Sequence, residues 1–315
     1  MRAHGSELWA ITSYFNPIGF ARRLANYRVF RERLSVPLVT VELARSRERF
    51  QLRPGDADIL IQLVGDDLLW QKERLLNIAL QSVPAPCRKI AWPDCDVVFE
   101  RPDWGQLVSA ALEQSPFVQT FATFSDLGPA ARFNNGQPPA DVLGGGESLA
   151  YRLSNGETVE ELFQPHRGNR LKRGRALGMA WAARRDLLER HGLYDACILG
   201  SGDKAIALAA LGHFDLVTSL EMNHRQIAHY LTWAQPFFAD VRGRVGHVEG
   251  RVYHLWHGDL IDRQHRQRLV HFAEFGFNPF NDVVRDDADC WRWRTDREDV
   301  RGYLQQYFES RREDG

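Results

Sequence analysis

The chain has 315 residues, 44% hydrophobic and 26% charged, with 40 basic and 41 acidic side chains that leave a formal net charge of -1. This is ordinary globular composition, enough for one large domain or two modest ones. The balanced charge gives no bulk attraction to nucleic acid or to an anionic membrane, so no nucleic-acid partner is expected.

Only Lys72, Lys89, Lys172 and Lys204 are lysines; the arginines that dominate the basic residues suit phosphate recognition. The four cysteines, Cys87, Cys95, Cys197 and Cys290, show neither a paired metal spacing nor a dense disulfide framework. A reducing compartment is therefore expected. No run reaches the length of a membrane span, and the apolar stretch near the N-terminus is too short for a signal segment. The expectation is a soluble, cytoplasmic protein without a transmembrane segment, for which peripheral membrane association stays open.

Glu7 to Ser13 reads as a buried strand that breaks into a turn of Asn16, Pro17 and Gly19. Apolar residues at helical spacing follow from Phe20 to Leu34, then strands at Pro37–Leu43 and Asp58–Val64, a helix between Leu69 and Leu80, and a fourth strand from Ile90 to Phe99. This alternation predicts a mainly parallel sheet covered by helices, with ligands beyond the carboxyl ends of its strands. Trp104–Glu113 reads as a helix and Phe117–Phe124 as a strand.

From Gly128 to about residue 175 the pattern dissolves into Gly, Pro and Asn, apart from a short helical piece near Thr158–Phe163. Such a length predicts a binding loop or lid. Order returns at Gly178–Ala183 and in a helix over Arg184–His191 that ends at Gly192. The Gly-rich turn Leu199–Asp203 then opens an Ala-rich helix. Val248 to Trp256 reads as a strand. Residues 259–315 are expected to form a charged, helical extension on a domain spanning 1–258, with Trp291 and Trp293 in a polar stretch.

Three places carry chemistry. Asp94-Cys95-Asp96 interrupts an apolar run, and residues i and i+2 of an extended segment point the same way, so both carboxylates are expected to face one ion. Oxygen ligands of this kind suit Mg2+ or Mn2+. Asp203 stands at a helix start among glycines that let a substrate approach the backbone, in the place of a cap, a ligand or a base. His254 and His257, three apart, can share a metal only if a turn or bulge intervenes.

Taken in this order, the motifs resemble the glycosyltransferases of the GT-A fold. Asp94-Cys95-Asp96 looks like their DxD motif, which holds a divalent metal against the diphosphate of a nucleotide sugar. Trp70 to Ile78 (WQKERLLNI) is similar to the helix before DxD in the β-1,4-galactosyltransferase group, and Arg74 stands at that group's basic residue. Gly178 to Trp181 and Leu199 to Asp203 resemble its acceptor-side pair, with a single acid where the group has a run. His254-Leu-Trp-His257 resembles the late strand that carries its remaining protein metal ligands.

The resemblance implies an α/β fold of GT-A type, a UDP-sugar donor, Mn2+ or Mg2+, and inverting transfer of a hexose or N-acetylhexosamine to a saccharide or glycoconjugate, as in polysaccharide biosynthesis. It implies Asp94, Asp96, His254 and His257 at the metal, Asp203 as base, and Trp181, Gly202 and Asp203 toward the acceptor. Tyr14, Asn16, Glu42 and Gln62 would then line the nucleoside pocket, with Asp94 near the ribose and Arg22, Lys72 or Arg74 on phosphate.

Three other readings compete. Asp94 also fits the nucleophile of a haloacid-dehalogenase-class phosphatase, with Lys172 and Asp203 following, although Pro93 precedes it and the histidines stay unexplained. A nucleotidyltransferase should carry a Gly-rich, Arg-containing loop after the first strand, which Tyr14–Gly19 is not. A non-enzymatic carbohydrate-binding domain would use the nine tryptophans without needing both aspartates.

Overall fold

A computed structural model describes residues 6–133, 139–163, 174–259, 261–294 and 296–315. The first half runs β1 (Leu8–Phe15), α1 (Ala21–Arg33), β2 (Leu38–Ala44), β3 (Ile59–Val64), α2 (Lys72–Gln81), β4 (Lys89–Pro93), β5 (Val97–Phe99), α3 (Trp104–Gln114), β6 (Phe117–Gln119) and β7 (Thr123–Leu127). It continues with β8 (Val142–Ser148), α4 (Leu149–Ser154), α5 (Val159–Phe163), β9 (Gly174–Ala176), β10 (Ala180–Arg184), α6 (Arg185–His191), α7 (Gly202–Leu211) and α8 (His224–Val241). The chain closes with β11 (Val245–His247), β12 (Arg251–His254), α9 (Gln267–Ala273), β13 (Val283–Arg285), β14 (Trp291–Trp293) and α10 (Glu298–Ser310).

The main sheet has the order β11-β6-β10-β4-β1-β2-β3. Its pairs are parallel except at β10, which runs against both β4 and β6. The expected mixed, mainly parallel sheet flanked by helices is therefore present. Its inner strands are buried on both faces because helices cover both; every residue of β2 and β4 is buried, whereas the edge strand β3 is partly exposed. One core lies under α2, α6, α7 and α8, and another under α1 and α3.

A second sheet, β5-β12-β7-β8-β9, stands beside it, and it corrects several expectations. The stretch Ile90–Phe99 is two strands in two sheets, with a turn at Asp94–Asp96 between them. Phe117–Phe124 divides in the same way into β6 and β7. Part of the supposed loop 128–175 forms β8, α4 and β9, while α5 is the short helical piece expected near Thr158–Phe163; residues 134–138 and 164–173 lie outside the described residues.

Glycine hides β8 from sequence reading, because a side chain at Gly145 would run into the Phe124 carbonyl of the neighbouring strand. The last segment holds a β13–β14 hairpin as well as helices. Its Phe277, Trp293, Val300, Leu304 and Phe308 pack on Leu68, Leu69, Ile198 and Leu199. Among the described residues no helix is long and apolar enough to cross a membrane.

Candidate active site

A cleft of about 620 Å³ opens beyond the carboxyl ends of β1 and β4, where an open α/β sheet offers backbone polarity and space to a ligand. Asp94, Asp96, Asp203, His254 and His257 all line it.

The two aspartates of the DxD-like triplet do different work. The Val97 amide donates to the Asp94 carbonyl at 3.1 Å, closing a turn. A turn removes the same-face relation that an extended i, i+2 pair would have. Asp94 faces Lys72, with Oδ1 2.5 Å from Nζ, and Asp96 faces the histidines. The expectation that both carboxylates share one ion is corrected accordingly. Cys95 between them packs against the core on the α1 side, and burial raises its thiol pKa.

Asp96, His254 and His257 bring one ligand atom each within 4.8 Å of one another. His257 Nε2 lies 3.1 Å from Asp96 Oδ2 and 3.2 Å from His254 Nε2, and His254 Nε2 lies 3.9 Å from Asp96 Oδ1. The histidines converge because β12 ends at His254, leaving His257 in the irregular segment that follows.

His254 Nδ1 donates to Asp126 Oδ1 at 2.9 Å. That bond places the ring's lone pair on Nε2, facing the cluster. Burial, then the charges of Arg263 and its neighbours, keep His257 neutral, well below the ordinary histidine pKa. Asp96 Oδ1 is buried without a hydrogen-bond partner, the kind of orphan a bound cation satisfies. Two imidazoles and a carboxylate fit a divalent transition metal.

On the far side of Asp94, Lys72 Nζ also reaches Asp203 Oδ2 at 2.7 Å. Burial opposes the charge on Lys72, but the two carboxylates outweigh it and hold its pKa well above normal. Burial pushes Asp94 up to about 6 even with Lys72 beside it. Glu73, next on α2, is buried with Oε1 unpartnered, and burial raises it to about 8. A Cβ at Gly202 would collide with Glu73 Oε1, so the glycine lets α7 begin against α2. Gly202 is thus a packing residue rather than an open acceptor surface.

Other expected site residues are not in the cleft. Along β1, Ser13 and Phe15 line it, so the alternation of a strand sends Tyr14 to the opposite face. There the Tyr14 hydroxyl and Asn16 Nδ2 donate to Gln51 Oε1, and Glu42 accepts from the Gln51 amide and Gln62 Nε2. This network fixes the loop after β2 and leaves the four residues outside the main cleft.

Arg74 is 3% exposed, with its guanidinium between Asp195 and Asp289, so it meets no phosphate in the cleft. Arg22 lies over the Trp256 ring at 5.1 Å while its neighbour Arg23 turns inward. Trp181 is 2% exposed and stacks on Phe117 at 4.7 Å, with Nε1 donating to the Leu177 carbonyl. It is core, not a sugar platform. Lys172 lies outside the described residues.

Sequence reading did not find Asp126, which the register of β7 and β12 sets opposite His254. It also missed a basic wall of Arg23, Arg263, Arg268 and Arg311. Glu313, fully buried, bridges Arg23 and Arg311, with Arg23 Nη2 donating at 2.7 Å. These groups come together over separations that leave no local pattern.

No protein-family model matches the chain, and no curated protein matches it in sequence. Among solved structures it is similar to a mannosyltransferase from Pyrobaculum calidifontis in complex with GDP-Man and Mn2+, at 14% identity over 85% of this chain and 63% of that one, with TM-score 0.42. It is similar to glucosyl-3-phosphoglycerate synthase from Mycobacterium tuberculosis in complex with Mn2+, uridine diphosphate and phosphoglyceric acid, at 10% identity over 92% and 87%, TM-score 0.41. It is also similar to S. aureus TarS 1-349 in complex with UDP, at 10% identity over 88% and 74%, TM-score 0.40. At these TM-scores the likeness bears on neither site nor substrate.

Proposed function

We propose that the protein is a metal-dependent glycosyltransferase of GT-A type, transferring a hexose or N-acetylhexosamine from a UDP-sugar to a saccharide or glycoconjugate acceptor with inversion. The observation that carries this reading is the convergence of Asp96, His254 and His257 in the same cleft as the Lys72–Asp203 pair. Four free cysteines among the described residues fit a reducing, cytoplasmic setting.

Asp96 and the two Nε2 atoms would hold the cation, which supplies charge stabilisation to the departing diphosphate when bound. Imidazole ligands favour Mn2+ over Mg2+, which prefers oxygen. Arg23 and Arg263 line the same end of the cleft and add positive potential where phosphate charge develops. Lys72 keeps Asp94 and Asp203 apart and oriented. Its bond occupies Asp203 Oδ2, leaving Oδ1 for the acceptor hydroxyl, whose proton Asp203 takes as general base.

Calorimetric titration with UDP, with and without Mn2+, tests the reading. Binding should require Mn2+ and be lost in Asp96→Ala. Metal-independent binding, or none in the wild type, would overturn it.

A further inference from the structure

The cleft has a second electrostatic end. Arg175 on β9 and Lys204, the residue after Asp203 on α7, both line it. Arg175 Cζ lies 4.9 Å and Lys204 Nζ 5.2 Å from the centroid of the same Phe163 ring. Among the described residues, Lys204 Nζ has one hydrogen bond, to the Ser219 carbonyl at 3.4 Å, and Arg175 Nη1 is buried without a partner. Among the described residues no carboxylate forms an ion pair with either.

Glu157, whose charge acts on Arg175, is bound to both ends of the Arg152 guanidinium, and Glu221, whose charge acts on Lys204, lies 4.0 Å from Arg266. Burial, with Arg175's charge second, lowers Lys204 to about 8. Burial, with Arg152 second, lowers Arg175. Two like charges sharing one ring in a partly buried cleft raise the local potential and favour an anion between them.

We propose that the acceptor carries a phosphate or carboxylate group and that Arg175 and Lys204 receive it, presenting the acceptor hydroxyl to Asp203 one residue earlier on α7. This rests on the transferase reading of the same cleft. It assigns the acceptor's charge, which that reading leaves open.

The test titrates protein saturated with Mn2+ and UDP with matched probes: glucose against glucose 6-phosphate, and galactose against galacturonate. The anionic member of at least one pair should bind at least about tenfold tighter, the range expected for a charge-assisted hydrogen bond. The pair that responds identifies the anion as phosphate or carboxylate. Lys204→Gln and Arg175→Gln should each lose most of that difference, and Lys204→Arg should retain it, with thermal melts reporting the fold of each variant. Equal binding of neutral and anionic members, no binding of either anion, or a preference that survives both Gln substitutions would overturn the proposal. Failure of Mn2+ and UDP to bind in the first step would instead overturn the transferase reading.

Discussion

Asp126 provides a sharp test of the proposed metal centre, because among the described residues its contact with the cluster is through His254. Its carboxylate accepts from Nδ1 at 2.9 Å and thereby fixes both the tautomer and the ring plane. Asp126→Asn keeps an acceptor oxygen but loses the charge that strengthens the imidazole as a ligand. Asp126→Ala loses the hydrogen bond as well.

Outer-shell losses of this type weaken metal binding by about 10- to 100-fold, or about 1.4 to 2.7 kcal/mol. The side chain is partly exposed, at 28%, so Asn should fall near the lower figure and Ala near the upper. Equilibrium titration with Mn2+ at one pH, alongside thermal melts, measures it. If Asp126→Ala binds Mn2+ as tightly as the wild type, His254 is not a ligand oriented by Asp126.

Two further outcomes follow from burial. Trp181→Ala should lower unfolding free energy by about 3–5 kcal/mol, the cost of emptying a large core site; a urea midpoint that does not move, with sugar transfer impaired, would return Trp181 to the acceptor. Burial raises Glu73 to about 8. The folded state therefore holds its proton above the unfolded pKa of about 4.3, and the contribution present below that pH is lost as pH rises toward 8. Glu73→Gln cannot ionise, so its stability relative to wild type should rise between about pH 5 and about pH 8. Parallel pH profiles for the two proteins would refute this.

The fold was legible where one strand stays in one sheet. β1, β2 and β3 are mainly apolar runs, and helices α1 and α2 repeat at helical spacing. β4–β5 and β6–β7 each cross between sheets within a few residues, and an apolar run carries no mark of that crossing. The site divides in the same way. Asp96, His254, His257 and Asp203 stand in short motifs, so their presence in one cleft was foreseeable. Asp126 and Glu313 arrive through strand register and the packing of the last segment, which sequence spacing does not encode. Strand parity turns Tyr14, one of the residues expected around a nucleoside, away from the cleft that Ser13 and Phe15 face.

The turn at Asp94–Val97 gives the cleft its order of charge. On a straight strand both aspartates would face one ion, and Lys72 would lose one of the two carboxylates that hold it charged in a buried position. With the turn, Asp96 closes on the imidazoles while Asp94 and Asp203 neutralise Lys72. Among the described residues, Asp96 is left at one end without a Lys or Arg at ion-pair distance, and Arg175 and Lys204 at the other without a carboxylate at ion-pair distance. In the proposed reaction a metal diphosphate would complete the first end and an anionic acceptor the second. Asp203, held by Lys72, is the carboxylate that the proposed reaction would use to take the acceptor's proton.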